Sequence, residues 1–98
     1  MDDATWTFDA ELWRDGAWHF VTVPDDVSDE VEERFGPTAA GFGSVRVEVT
    51  VGATTWRTSV FPSAQQRAYV LPVKKAVRSA ERLDEGGTAS FTLRVLAH

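Results

Sequence analysis

Apolar residues recur at every second position in several separate stretches of this chain, and the stretches are punctuated by Gly and Pro. In residues 43–51, Val45, Val47, Val49 and Val51 alternate with Arg46, Glu48 and Thr50. A period of two is the signature of a strand with one face in a core and the other in water. Residues 5–13 repeat it, with Trp6, Phe8, Ala10 and Leu12 on one face and Thr5, Thr7, Asp9 and Glu11 on the other. Arg14-Asp15-Gly16 then reads as a hairpin turn, where Gly supplies the positive φ. The returning strand, residues 17–23, is apolar both ways: Trp18, Phe20 and Thr22 face one side, His19, Val21 and Val23 the other. It is expected to be covered on both faces.

Helical signals interrupt the strands twice. Residues 25–35 follow Pro24, carry acids in the first turn where they complement the helix dipole, and stop at Gly36-Pro37. Val27 and Val31 form a narrow apolar stripe on an otherwise acidic helix. Small residues then connect positions 38–42. Gly52-Ala53 turns the chain into a strand over residues 54–61, Pro62 closes it, and residues 63–67 form a polar loop before a short strand at 68–71. Pro72 is expected at the first position of a second helix, where its missing N–H costs nothing. Val73, Val77, Ala80 and Leu83 are that helix's expected core face. After Gly86-Gly87, residues 88–96 make a last strand, and residues 97–98 read as a frayed end. The order is β-β-α-β-β-β-α-β: mainly β with two helices, six short strands in an antiparallel barrel or pseudobarrel whose open ends the helices cap.

The 98 residues make a single domain, 1–98, large enough for one packed core. With no cysteine there is no disulfide framework and no thiolate nucleophile or metal ligand, which suits a reducing cytoplasm. Residues 1–4 offer no basic, apolar leader, and the apolar runs are far shorter than the roughly 20 residues of a membrane span. The net charge of −5 divides unevenly, −9 over residues 1–43 and +4 over residues 44–98. An acidic protein is a poor general nucleic-acid binder, so no nucleic-acid partner is expected. The basic half either recognises a small anion or pairs its charges with the acidic half at the surface.

Several blocks resemble the DUF1905 family in order: residues 8–13, 18–24 and 41–47, then most strongly Thr55-Trp56-Arg57-Thr58-Ser59-Val60-Phe61-Pro62 and Tyr69-Val70-Leu71-Pro72-Val73-Lys74-Lys75-Ala76-Val77-Arg78. The resemblance spans nearly the whole chain. It implies a double-split β-barrel capped by helices and a small bacterial protein, and the family name itself records an unknown function. It brings no catalytic residues with it.

The candidate site is the basic, aromatic stretch of residues 56–78. Lys74 and Lys75 fall in the expected first turn of the second helix, where a cation costs roughly 0.3–1 kcal/mol beside the positive dipole end. A bound phosphate or carboxylate would turn that cost into a gain, with Arg57 and Arg78 reinforcing it; otherwise the two lysines are simply solvated over apolar surface. Arg57 and Ser59 share the strand face opposite Trp56, and Tyr69 is expected to border the same surface, so that Arg57, Ser59, Tyr69, Lys74, Lys75 and Arg78 form a polar cluster in an aromatic wall. The plainer alternative pairs Arg57 with Glu48 across the Gly52-Ala53 hairpin. Ser59 lacks a nucleophile motif, His19 lacks an identifiable acid–base partner, and the acids of the first helix lack metal-loop spacing. The expectation is a module without catalysis or cofactor that binds a small anionic molecule or a protein partner, with a structural or assembly module forming a homodimer as the alternative, and DNA binding or catalysis behind both.

Overall fold

The computed structural model describes residues 4–39 and 41–96, so the expected frayed end at residues 97–98 lies outside it. Nine elements follow one another among the described residues: β1 (Thr5–Glu11), β2 (Trp13–Asp15), β3 (Trp18–Thr22), α1 (Asp25–Phe35), β4 (Val45–Val51), β5 (Thr54–Ser63), β6 (Ala68–Pro72), α2 (Lys75–Glu81) and β7 (Thr88–Val95). Two 3₁₀ turns, Gly36–Thr38 and Gly41–Gly43, occupy the link after α1. The strands pair antiparallel in one curled sheet, ordered β1-β7-β4-β5-β6-β3-β2, a half-barrel.

The expected class, mainly β with two helices, describes this arrangement, but seven strands rather than six lie among the described residues. The extra strand arises at Leu12. Side chains continue to alternate through residues 5–13, yet the backbone changes partner: Glu11 lies opposite Thr88 of β7, and Trp13 lies opposite Phe20 of β3. Between them Leu12, 2% exposed, donates its N–H to Gly87 O at 2.9 Å and accepts from Gly86 N at 2.8 Å. The two ends of the sheet order are therefore adjoining pieces of one run of chain. β5 divides in the same way, its first part pairing with β4 and residues Phe61–Ser63 with β6.

The inward faces meet in one core. Val47 and Val49 of β4, Leu93 and Phe91 of β7, Val60 of β5, Val21 of β3 and Leu71 of β6 are all fully buried, each such side chain contributing about 1.5–3 kcal/mol on leaving water. On the outer face, Thr7 pairs with Thr92 and Thr50 with Thr55 through their hydroxyls, at 3.0 and 2.8 Å.

Helix α1 has the bounds the sequence implies and packs Val27 and Val31 into the core. Its third buried residue, Ser28, was not anticipated. Ser28 Oγ accepts from Tyr69 N at 3.0 Å and donates to Val23 O at 3.0 Å. Val23 N donates to Tyr69 O at 2.9 Å, so Ser28 supplies the partner that β3 stops providing once Pro24 diverts the chain. A buried amide is left satisfied by one hydroxyl.

Helix α2 departs from expectation at its start. Pro72 is the last residue of β6, opposite Phe20, not the first of a helix. Val73 N then donates to His19 O at 2.9 Å, extending the ladder one residue past the proline. Only after Lys74, extended at ψ 160, does the helix begin. It closes at left-handed Arg82, buries Val77, leaves Leu83 half-buried and leaves Ala80 exposed, where a core position was expected. Glu81 reaches back to the β4–β5 turn, accepting from Ala53 N at 3.2 Å and Thr54 Oγ1 at 2.5 Å. Gly52, at φ +57, leaves the space that carboxylate fills.

The outer face of β3 is not covered as expected. Trp18 is 65% exposed and lies stacked on Phe20, ring centroids 6.2 Å apart.

Ser28→Ala removes the shared partner of Tyr69 N–H and Val23 C=O, and urea denaturation is expected to show a loss of about 1–3 kcal/mol, the cost of buried unsatisfied groups. A loss under about 0.5 kcal/mol would show that these groups find other partners.

Candidate functional site

The hydrogen bond from Val73 to His19 draws the β6–α2 connection against β3, and β5 pairs with the other edge of β6. Between these elements and the start of α2 lies a groove of about 660 Å³. Trp18 and His19 form one wall, Trp56, Thr58 and Phe61 of β5 another, and Pro72 and Val73 part of the floor. Arg57, Lys74, Lys75 and Arg78 complete the lining, and no Asp or Glu among the described residues joins it. In a chain of net charge −5 this is a local concentration of positive charge.

The four cations are held differently. Arg57 lies opposite Glu48 in register and its Nε is 3.5 Å from Glu48 Oε2. This is the cross-hairpin pair that the sequence offers as the plainer alternative, and it coexists with Arg57's place in the groove. Arg94 binds the same carboxylate at 2.8 Å; its hydrogen bond holds Glu48 below the usual carboxylate range, with Arg57 adding to the effect. Arg78 is half-buried and fastened by its Nε to Val73 O at 3.1 Å. Lys74 and Lys75 are exposed, and no ion pair among the described residues engages them.

Lys74 stands at the N-cap of α2 and Lys75 at its first position. Lysine has no acceptor to cap the helix, so both sit where the dipole disfavours them. The helix has only seven residues, and Val77 N already donates to Lys74 O at 3.1 Å. The capacity to hold an anion therefore lies in the convergent side chains of the groove, not in the helix start.

The remaining two candidates are elsewhere. Ser59 is on β5 opposite Arg46, outside the groove lining. Tyr69, 3% exposed, points inward beneath α1, and its phenol donates to Glu32 Oε1 at 3.1 Å. It borders a separate pocket of about 460 Å³ with Ser28, Asp29, Glu32 and Arg67. The expected six-residue cluster thus resolves into four groove residues and two that face other ways. Trp18 and Phe61, absent from the expected cluster, supply its aromatic walls; Phe61 is 39% exposed. In the sequence Phe61 stands beside Pro62, which is expected to close the strand, but β5 runs on through Pro62 to Ser63. His19 also lines the groove, and its Nδ1 is buried with no hydrogen-bond partner among the described residues.

A family model described as a domain of unknown function, DUF1905, matches residues 8–93, from β1 through β7. The chain belongs to that family. The match takes in both helices and every residue that lines the groove. No curated protein matches the chain. No helix among the described residues of this DUF1905 domain is long and apolar enough to cross a membrane.

Tyr69 sets a pH dependence. Burial, reinforced by the Glu32 hydrogen bond and charge, pushes its phenol up to about 12. An unfolded tyrosine titrates near pH 10, so the native state binds the proton more tightly. The associated stability is fully present below about pH 10 and is lost as pH rises from there towards about 12. Denaturation at a series of alkaline pH values should show this decline in the wild type and a shallower one in Tyr69→Phe; equal slopes would contradict it.

Proposed function

We propose that this DUF1905 domain is a non-catalytic module that binds a small organic anion in the groove between β3, β5 and α2. The observation that carries it is the convergence of Arg57, Lys74, Lys75 and Arg78 on one aromatic-walled groove with no described carboxylate in its lining. Few polar groups in an apolar concavity are the usual means of fixing a ligand. The two lysines occupy positions unfavourable to the helix, and an anion between them and Arg78 offsets that cost. Ser59 lies outside the lining and His19 Nδ1 has no partner among the described residues, which supports binding over catalysis.

The test is thermal unfolding with inorganic phosphate, pyrophosphate and citrate at constant ionic strength. Ligand binding raises the melting temperature by mass action, and at least one of these anions should do so by several degrees. Lys74→Ser is the informative variant. A serine at the N-cap stabilises the helix by about 1 kcal/mol relative to a non-capping residue, so the unliganded variant should melt higher while its response to the anion falls. Arg57→Ala should also weaken the response. An undiminished anion shift in both variants would contradict the reading.

A second reading, assembly with another copy or a protein partner, draws on the exposed rings of Trp18 and Phe61. Light scattering over a wide concentration range separates the two, since a strict monomer removes self-association. The curled sheet also supports a double-split barrel, because both β5 and the β1–β2 run divide their pairing between two halves. The absence of cysteine supports a cytoplasmic setting.

A further inference from the structure

The groove's lining is of two chemical kinds: Lys74, Lys75 and Arg78 from α2 and its N-cap and, at the end it shares with a second hollow, Trp18 of β3 and Phe61 of β5. The aromatic end does not stop at the groove. A second hollow of about 330 Å³, lined by Asp15, Trp18, Phe20, Phe61, Val70 and Pro72, shares Trp18, Phe61 and Pro72 with it. Trp18 and Phe20 are stacked within 15° of parallel, and Phe20 in turn lies 4.9 Å from the ring of Trp13. Trp13 Nε1 donates to Thr22 Oγ1 at 2.9 Å, and Thr22 donates to Gln66 at 3.1 Å. Trp18 is thus braced by Phe20, and Phe20 by Trp13, so a planar group laid against Trp18 meets a ring already supported on one side.

A simple anion leaves the aromatic end unused, and a purely apolar ligand leaves the lysines unused. A ligand that satisfies both has a flat aromatic group joined to several negative charges. We infer that the groove takes a nucleoside phosphate, with its base against Trp18 and Phe61 and its phosphates between Lys74, Lys75 and Arg78. This rests on the anion-binding reading above. Lysine serves phosphates as a mobile point charge, and arginine adds directed N–H donors. Stacking of a base on an aromatic side chain is tolerant of base identity, so the assignment is to the class and not to one base. The volume of about 660 Å³ lies within the ~300–1,000 Å³ range of small-molecule sites.

Isothermal titration of the full chain with ATP, inorganic triphosphate and adenosine, without added magnesium, tests the inference. ATP should bind most tightly, with triphosphate about tenfold weaker, as loss of one base–aromatic stack implies, and adenosine weaker again. Trp18→Ala should bring ATP down to the level of triphosphate without changing triphosphate itself, and Trp18→Phe should retain most of the difference. Trp18 lies at the surface, and an unchanged melting temperature in Trp18→Ala shows that the fold is intact. If ATP and triphosphate bind equally and Trp18→Ala alters neither, the nucleotide inference is overturned and the anion reading stands. If neither ATP nor triphosphate binds, both fall. Equal binding of adenosine and ATP would also overturn both, because the cations would then contribute nothing.

Discussion

Two backbone hydrogen bonds at Leu12, from its N–H to Gly87 O and to its C=O from Gly86 N, hold the point where one run of chain passes from one end of the sheet to the other. The passage joins β1 and β2, the two edge strands of the sheet order. With it, the sheet curls around a single core, and Leu12 itself fills part of that core. Gly86 has φ +89, a backbone conformation that side chains other than glycine rarely adopt. The last turn of the chain is therefore shaped to receive the first long strand, and the contact between them spans most of the sequence.

The groove follows from the same curl. Once β2 and β3 are folded over beside β6, the N–H of Val73 meets His19 O, and the connection to α2 cannot leave the sheet until Lys74. That one bond sets where α2 begins. It delivers Lys74, Lys75 and Arg78 beside Arg57 and Trp56 of β5, while Glu81 anchors the far end of the helix to the β4–β5 turn. The helix is short and fastened at both ends, so its basic residues are presented on a rigid element, as a binding site requires.

Much of the architecture was legible in the sequence because its signals are local. The alternation of Val45 to Val51, the acids and terminal Gly-Pro of α1, and the Gly52-Ala53 turn need no knowledge of distant residues. The misread features all depend on remote partners. Periodicity shows which way a side chain points but not which strand its backbone pairs with, so the change at Leu12 was invisible. A proline ending a strand and a proline opening a helix look alike in sequence, and only His19 O distinguishes them at Pro72. The site divides along the same line. Arg57, Lys74, Lys75 and Arg78 are brought together, whereas Tyr69 turns inward because Ser28 and Glu32 of α1 take its amide and its phenol. The exposure of Trp18 was not legible, since an apolar outer face on a strand gives no sign of whether anything covers it.

The proposed role is the holding of a small anion in the groove between β3, β5 and α2. Amide chemical-shift mapping by ¹⁵N-edited NMR during titration with pyrophosphate addresses it most directly. The account predicts saturable shifts concentrated in residues 17–19, 56–58 and 73–78. Shifts spread over basic residues outside the groove, such as Arg46, Arg82 and Arg94, or no saturable shift at all, would contradict it.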